Sequence, residues 1–302
     1  MEIIKSIKNK RIICWWSGGV TSAVSIYLAI QLFGKENIEI FFIDTYNEDE
    51  DTYRFKSDCE KLYGIRIETL TRIGVDYTSI EHVWRKHKSL NVATGAICSS
   101  ELKRKVRTQW EKDNEDIGVQ VFGFDIDESK RIKSMKLNLP DKVIFTLAMF
   151  GYDKKDCIKI LDDLGIQVPR MYLLGFLNNN CFGTGCVQGG IGYWQKMKSE
   201  YPDKFNRMAD MEWELTESKG EPVTMLKDQG KLSKKAVKET GVKWLQFVFL
   251  RKHPDYPMLK SIDDFPQYQV EPLFECNGMC YTNDLVLDKP ETYNQLNFNQ
   301  EI

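Results

Sequence analysis

Apolar and polar positions follow two rhythms along this chain, and each change of rhythm marks a switch between strand and helix. Residues 11–16 (RIICWW) form an unbroken apolar run that suits a buried strand. Ser17, Gly18 and Gly19 interrupt it, and from Val20 to Phe33 the apolar residues recur at helical spacing. The same succession follows at Ile38–Ile43, a second apolar run that ends in Asp44 and Thr45, with a helix expected over about 51–62. Residues 65–70 read as a third strand, 79–86 as a short helix, 100–112 as a longer one and 119–124 as a further strand. This alternation predicts an α/β fold, a mostly parallel sheet with helices on both faces and ligands at the carboxyl ends of the strands. Beyond about residue 140 the rhythm turns helical, at 153–164, Ile191–Glu200 and 203–218. The expected organisation is an α/β domain over 1–140 followed by a helical, cysteine-bearing extension over 141–302.

Composition narrows the class. With 42% hydrophobic and 28% charged residues in 302, the chain reads as an ordinary globular protein. A formal net charge of −2 gives no whole-chain case for nucleic-acid binding, although a local patch remains open. No apolar run approaches the roughly 20 residues that span a bilayer, and MEIIKSIKNK lacks a signal-peptide core, so a cytoplasmic location and no membrane partner are expected. Without a secretory signal, eight cysteines point to metal binding or thiol chemistry rather than to a disulfide framework. Cys14, Cys59 and Cys157 sit in apolar or amphipathic stretches and read as packing. Cys98, Cys181, Cys186, Cys276 and Cys280 carry the candidate chemistry. His82, His87 and His253 have no metal-ligand spacing.

The turn at Ser17-Gly18-Gly19 reads as a phosphate-binding loop. Glycines let backbone N–H groups approach an anion, the following helix adds its positive end, and Ser17, Thr21 and Ser22 offer hydroxyls. No Gly-Lys-Ser/Thr follows, so this is not the Walker pattern. Ser-Gly-Gly-x-x-Ser after a first strand instead resembles the PP-loop of the N-type ATP pyrophosphatases, and four later segments resemble the branch that contains the phosphoadenosine phosphosulfate (PAPS) reductases. Asp44-Thr45, with Thr52 after it, resembles that branch's nucleoside-pocket segment, while Glu48 to Asp51 read as a solvated acidic loop. Cys98-Ser-Ser-Glu-Leu-Lys103 is similar to its Cys-x-x-x-Leu-Lys run, without the second Cys or the Pro. A thiolate at Cys98 would be favoured by the helix start and by Lys103, Arg104, Lys105 and Arg107, cations that also suit phosphates. Gly123 to Arg131 is close to the family's Gly-x-Arg-x-x-Glu-Ser followed by Arg, with Asp125 where the family has Arg and with Glu128, Ser129 and Arg131 in place. The stretch from Tyr172 through Cys181 and Cys186 to Trp194 resembles a cysteine loop of phage-encoded relatives.

The resemblance covers roughly 10–215 and implies an adenine-nucleotide α-hydrolase-like fold. It implies ATP with Mg²⁺ at Ser17, Gly18, Gly19, Thr21, Ser22, Asp44, Thr45, Gly123, Glu128 and Ser129, and reaction at Cys98, Lys103 and Arg131. ATP would be cleaved to AMP and pyrophosphate to adenylylate an acceptor for sulfur transfer. That acceptor would be tRNA, DNA or a small molecule, with a sulfur-donor protein as a further partner. The alternatives are a sulfonucleotide reductase, disfavoured because the loop is intact and no Glu-Cys-Gly-Leu-His ending is present, and a nonenzymatic nucleotide- or nucleic-acid-binding module. Cys181 with Cys186, and Cys276 with Cys280, form two short-spaced pairs that suit Zn²⁺ or an iron-sulfur cluster. Cys98 stands as another ligand or as a separate nucleophile.

Overall fold

The computed structural model describes residues 10–92, 95–114, 116–139 and 142–273. Its first half is built from β1 (Ile12–Trp16), α1 (Val20–Phe33), β2 (Ile38–Ile43), α2 (Glu50–Tyr63), β3 (Ile67–Leu70) and α3 (Ile80–His87). Helix α4 then begins at Ile97–Ser99, widens into a π-helical stretch over Ser100–Arg104 and continues as Lys105–Asp113. β4 (Val119–Phe122), α5 (Ser129–Asn138), β5 (Val143–Ile144), α6 (Thr146–Phe150) and α7 (Lys154–Asp163) complete this unit.

The five strands run in the order β3-β2-β1-β4-β5, with every neighbouring pair parallel. β1 lies at the centre, and all five of its residues are buried, as an unbroken apolar run requires of a strand covered on both faces. Ile12, Cys14 and Trp16 share one face with Ile40 and Phe42, packed against α1, α2 and α7. Ile13, Trp15 and Phe41 share the other with Phe122, Val106 of α4 and Met135 of α5. Cys14, Cys59 and Cys157 all lie in the first of these cores and are fully buried.

From β1 the chain winds to β2 and β3 on one side, then returns to β4 and β5 on the other. The direction reverses between β1 and β4, and the crevice beyond their carboxyl ends is where open parallel sheets place ligands. Ser17 leaves β1 at that crevice and Gly123 leaves β4 there. A Cβ at Gly123 would fall 2.5 Å from the Cα of Ser22 and 2.6 Å from its nitrogen, so only glycine lets β4 approach the start of α1.

The sheet runs past residue 140, since β5, α6 and α7 pack on α1 through Ile144, Leu147, Cys157 and Leu161. The remaining chain forms α8 (Arg170–Leu173), α9 (Ile191–Glu200), α10 (Pro202–Lys219), β6 (Leu226–Lys227), α11 (Lys231–Thr240), β7 (Phe247–Phe249) and β8 (Lys260–Ser261). A second core joins α9 and α10 to α3 and the start of α4, with Trp84, Cys98, Cys186 and Trp194 inside it. The extension is therefore helical as expected, but it also carries a small sheet in the order β8-β7-β6. Strands of two or three residues are too short to show alternation, which is why the sequence did not reveal them.

Glu212 on α10 ties this sheet down. It is fully buried, and its carboxylate accepts the backbone N–H of Met225 at 2.9 Å and of Leu250 at 2.7 Å. Burial pushes its pKa up to about 8, against those two N–H groups, which favour the ionised form. The folded carboxyl holds its proton more tightly than the unfolded one, whose ordinary value is 4.5. Its stabilising contribution is full below about pH 4.5 and falls as pH rises toward 8, by a few kcal/mol in order of magnitude. Comparing urea unfolding of the protein and of its Glu212→Gln variant between those limits should show this decline in the first and its absence in the second.

Candidate functional site

The loop after β1 is closed by its own hydroxyls. Ser22 Oγ accepts from the Ser17 backbone N–H at 3.1 Å and from the Ser17 hydroxyl at 3.0 Å, and donates to the Gly19 carbonyl at 2.9 Å. Gly18 has a φ of 86°, a left-handed conformation that favours glycine. The first turn of α1 carries no carboxylate, so its positive end faces the crevice uncompensated by its own side chains. Asn179 covers the loop, donating through Nδ2 to the Gly18 carbonyl at 2.9 Å and to Thr52 Oγ1 at 3.0 Å. Its own Oδ1 is buried with no partner among the described residues, an acceptor a ligand hydroxyl or amine would satisfy. The Tyr172 hydroxyl accepts from the Val20 N–H at 3.3 Å. Sequence reasoning placed Thr52 and Tyr172 only as motif neighbours and missed Asn179, because nothing in a run of three asparagines says which one folds back over a loop 160 residues away.

Asp44 and Thr45 are buried at the end of β2. The Asp44 carboxylate accepts from the Tyr46 N–H at 2.7 Å and from the Tyr53 hydroxyl at 2.9 and 3.1 Å, so a tyrosine stands where a ribose hydroxyl was expected. Burial and then the Asp44 charge raise the Tyr53 hydroxyl above its ordinary value, keeping it a donor. The acidic loop that follows is solvated only at its far end, where Glu50 is exposed and Asp51 half-buried. Glu48 and Asp49 are buried, Glu48 paired with Lys103 at 3.1 Å and Asp49 with Arg170 at 2.7 Å, while Asp51 accepts from the Arg170 N–H at 2.7 Å. Asn47 fixes the same loop to the cysteine loop: its Nδ2 donates to Thr184 Oγ1 at 2.9 Å, and its carbonyl accepts from Phe182 and Gly183.

The basic run of α4 is likewise drawn inward. The widened turn puts Glu101, Leu102 and Lys103, three consecutive residues, in the interior. Arg104 bonds to Ser100 Oγ at 2.6 Å, Lys105 pairs with Glu101 at 2.6 Å and Arg107 with Glu111 at 3.3 Å. These cations are engaged with their own helix rather than presented to a ligand.

Cys98, Cys181 and Cys186 meet here. With Ser17, Lys103 and Asn179 they line one cavity with about 20 Å³ of water-accessible space, enough for one water or ion. Burial pushes each thiol up to about 12. For Cys98 this reverses the expectation of a thiolate, because loss of hydration outweighs the nearby Lys103. The three soft donors suit zinc or an iron-sulfur cluster in chemistry, yet among the described residues no group of three or more His, Cys, Asp or Glu side chains is placed to hold a metal ion. Cys276 and Cys280 lie outside the described residues.

Gly123, Glu128, Ser129 and Arg131 leave β4 at the other side of the crevice. Asp125 is buried and caps the turn, accepting from the Asp127 N–H at 3.0 Å, so the family's arginine position is filled by an acid turned inward. Arg131 pairs with Glu128 and lies 4.1 Å over the Phe124 ring, while Ser129 is exposed. His253 packs among Trp213, Phe249 and Tyr256.

Beyond Glu48 opens a separate groove of about 730 Å³, lined by Tyr46, Tyr53, Arg170, Phe182 and Lys204 among others. The Glu48–Lys103 pair stands between it and the thiol cavity. Breaking that pair leaves a buried charge alone, so Lys103→Met should lower stability by about 3 kcal/mol in denaturant unfolding. The double variant with Glu48→Gln should recover most of that loss, and an unchanged double variant would deny the coupling.

Residues 11–107 match the family model described as the phosphoadenosine phosphosulfate reductase domain. An uncharacterised protein of Methanocaldococcus jannaschii is 27% identical over 218 residues, 69% of this chain and 43% of its own length, so the chain spans less than half of that relative. Among solved structures, the PAPS reductase of Candida auris, in a phosphate complex, overlaps 60% of this chain and 87% of its own at 15% identity and a TM-score of 0.43. The U34-tRNA thiolase NcsA of Methanococcus maripaludis, with its [4Fe-4S] cluster, overlaps 80% and 87% at 13% identity and a TM-score of 0.37. The resemblance read from the Ser17 loop, the Asp44 segment and the Cys98–Lys103 run is borne out as a match of residues 11–107 to the PAPS reductase domain family model.

Proposed function

We propose that this protein binds ATP at the Ser17 loop and cleaves it to AMP and pyrophosphate, adenylylating an acceptor for sulfur transfer. The observation that carries the reading is the single cavity shared by Ser17, Lys103 and the thiols of Cys98, Cys181 and Cys186. Backbone N–H groups of Gly18 and Gly19, the start of α1 and the hydroxyls of Ser17, Thr21 and Ser22 would hold the β- and γ-phosphates, with Mg²⁺ neutralising their charge. Lys103 and Arg131 would steady the α-phosphate as charge moves to pyrophosphate, each exchanging its present carboxylate partner for the phosphate. Asp44 and Thr45, with the unpaired Asn179 Oδ1, would receive the nucleoside hydroxyls, and Gly123, Glu128 and Ser129 would shape the opposite wall. The acceptor, tRNA, DNA or a small molecule, would approach along the groove of Tyr46, Tyr53 and Lys204.

Cys181 and Cys186, with Cys276 and Cys280, remain the proposed metal ligands, and Cys98 joins them at the cavity. The Leu273 N–H donates to Asn178 Oδ1 at 2.8 Å, three residues before Cys181. Zinc bound there would clamp the loops, whereas an iron-sulfur cluster would supply sulfur chemistry beside the nucleotide. A sulfur-donor protein is the corresponding partner.

A second reading, reduction of PAPS, is favoured by the family match over 11–107. Pyrophosphate release from ATP in the presence of candidate acceptors separates the two. It should fall at least about 100-fold in the Ser17→Ala/Ser22→Ala double variant. Thiol-dependent sulfite release from PAPS without pyrophosphate would establish the reductase, and tight adenine-nucleotide binding without turnover would establish a nonenzymatic module. Iron, zinc and acid-labile sulfide, measured on protein purified without oxygen, should be stoichiometric and lost in Cys181→Ser and Cys276→Ser; metal-free protein would remove the ligand assignment.

A further inference from the structure

Lys105 and Arg107 of α4 are paired within their own helix, and a denser exposed basic face lies elsewhere among the described residues. Helix α11 carries Lys231, Lys234, Lys235 and Lys238, an i, i+3, i+4, i+7 spacing that brings all four to one helix face. All four are exposed, and no residue of α11 is buried. Lys227 at the end of β6 and Lys243 after α11 are exposed beside it in sequence. Residues 227–243 thus hold six lysines against two carboxylates, a net charge of +4 in a chain whose total is −2. Asp228 is committed to Lys260 at 2.7 Å, to the Gly230 N–H and to the Ser233 hydroxyl. Glu239 meets only Lys235 among these lysines, at 3.6 Å. The other five have no ion pair among the described residues, and of them only Lys227 lies over an aromatic ring, 5.5 Å from that of Phe247, so internal charge does not explain Lys231, Lys234, Lys238 or Lys243.

We propose that this face binds the phosphate backbone of a nucleic acid. From Lys231 to Lys238 the helix rises about 10 Å, which matches an array of successive phosphates better than one isolated anion. A lipid surface fits less well: Leu232, 83% exposed, is the one large apolar side chain of α11 that projects into solvent, and interfacial helices need a continuous apolar face. The proposal is independent of the chemistry at the Ser17 loop, since a backbone-binding face serves an enzyme or a binding module equally.

The test is fluorescence anisotropy of the full chain with short labelled RNA, single-stranded DNA and duplex DNA, at about 50–200 mM salt. The variant replaces the four lysines of the face together, Lys231→Gln, Lys234→Gln, Lys235→Gln and Lys238→Gln, keeping helix propensity. We expect the protein to bind at least one of these nucleic acids, and the variant to lose about 10-fold or more in affinity. The slope of log K against log salt should shrink by about 3, with the melting temperature unchanged. The corresponding Lys→Arg variant should retain binding. An unchanged slope in the Gln variant, or no binding of any nucleic acid by the unmodified protein at the lowest salt, overturns the proposal. So does lysine-dependent binding confined to phosphatidylserine-rich vesicles or polyglutamate. Loss of ATP cleavage with intact nucleic-acid binding would count against the proposed reaction alone.

Discussion

Lys103 and Glu48 form a buried ion pair in which both side chains are almost wholly removed from water, at 7% and 2% exposure. Dehydrating two charges costs several kcal/mol each, and their attraction offsets that only when geometry and further hydrogen bonds are good. Here the pair is held from both ends: Thr45 Oγ1 also donates to Glu48 at 3.5 Å, and the π-helical turn rotates Lys103 inward. The pair fixes the end of β2 against α4, and it divides the thiol cavity from the open groove. An anion that takes Lys103 as its partner leaves Glu48 uncompensated on the groove side. Occupancy of one compartment would therefore change the charge of the other, a direct electrostatic link between cavity and groove.

The thiols show which of two opposing effects prevails. A helix start is worth about 0.3–1 kcal/mol to a nearby negative charge, less than one pKa unit. Burial acts the other way and prevails, lifting Cys98 from its ordinary 9.0 to about 12. Cys98, Cys181 and Cys186 are therefore neutral thiols unless a cation displaces their protons, and any metal they hold is bound in competition with protons, more tightly as pH rises.

Strand and helix positions in the first half were legible because buried parallel strands write continuous apolar runs: β1, β2 and β4 were read at or within about two residues of where they lie. The turn after β1 was equally legible, since Ser17, the glycines and Ser22 lie within six residues. What the sequence concealed depends on tertiary partners. Glu48 looked solvated because acidic runs usually are, and only the inward turn of Lys103 makes its burial tolerable. Cys98 was read with the wrong protonation state because the second core that buries it is assembled from α3, α9 and α10, remote in sequence. Cys98 was left open as another ligand or a separate nucleophile, because its proximity to Cys181 and Cys186 is one no local motif encodes.

The family match ends at Arg107, and the cavity does not. Ser17, Cys98 and Lys103 come from the matched segment; Asn179, Cys181 and Cys186 come from outside it. The matched segment supplies the glycine turn and Lys103. The unmatched half supplies two of the three thiols, the roof over the loop through Asn179, and Arg170, Phe182 and Lys204 of the groove. The basic face of α11 belongs to the same half. On the proposed reaction, the Ser17 loop would handle phosphate and the residues of 170–204 would shape what meets it, so substitutions in 170–204 should redirect chemistry where those in 17–22 abolish it.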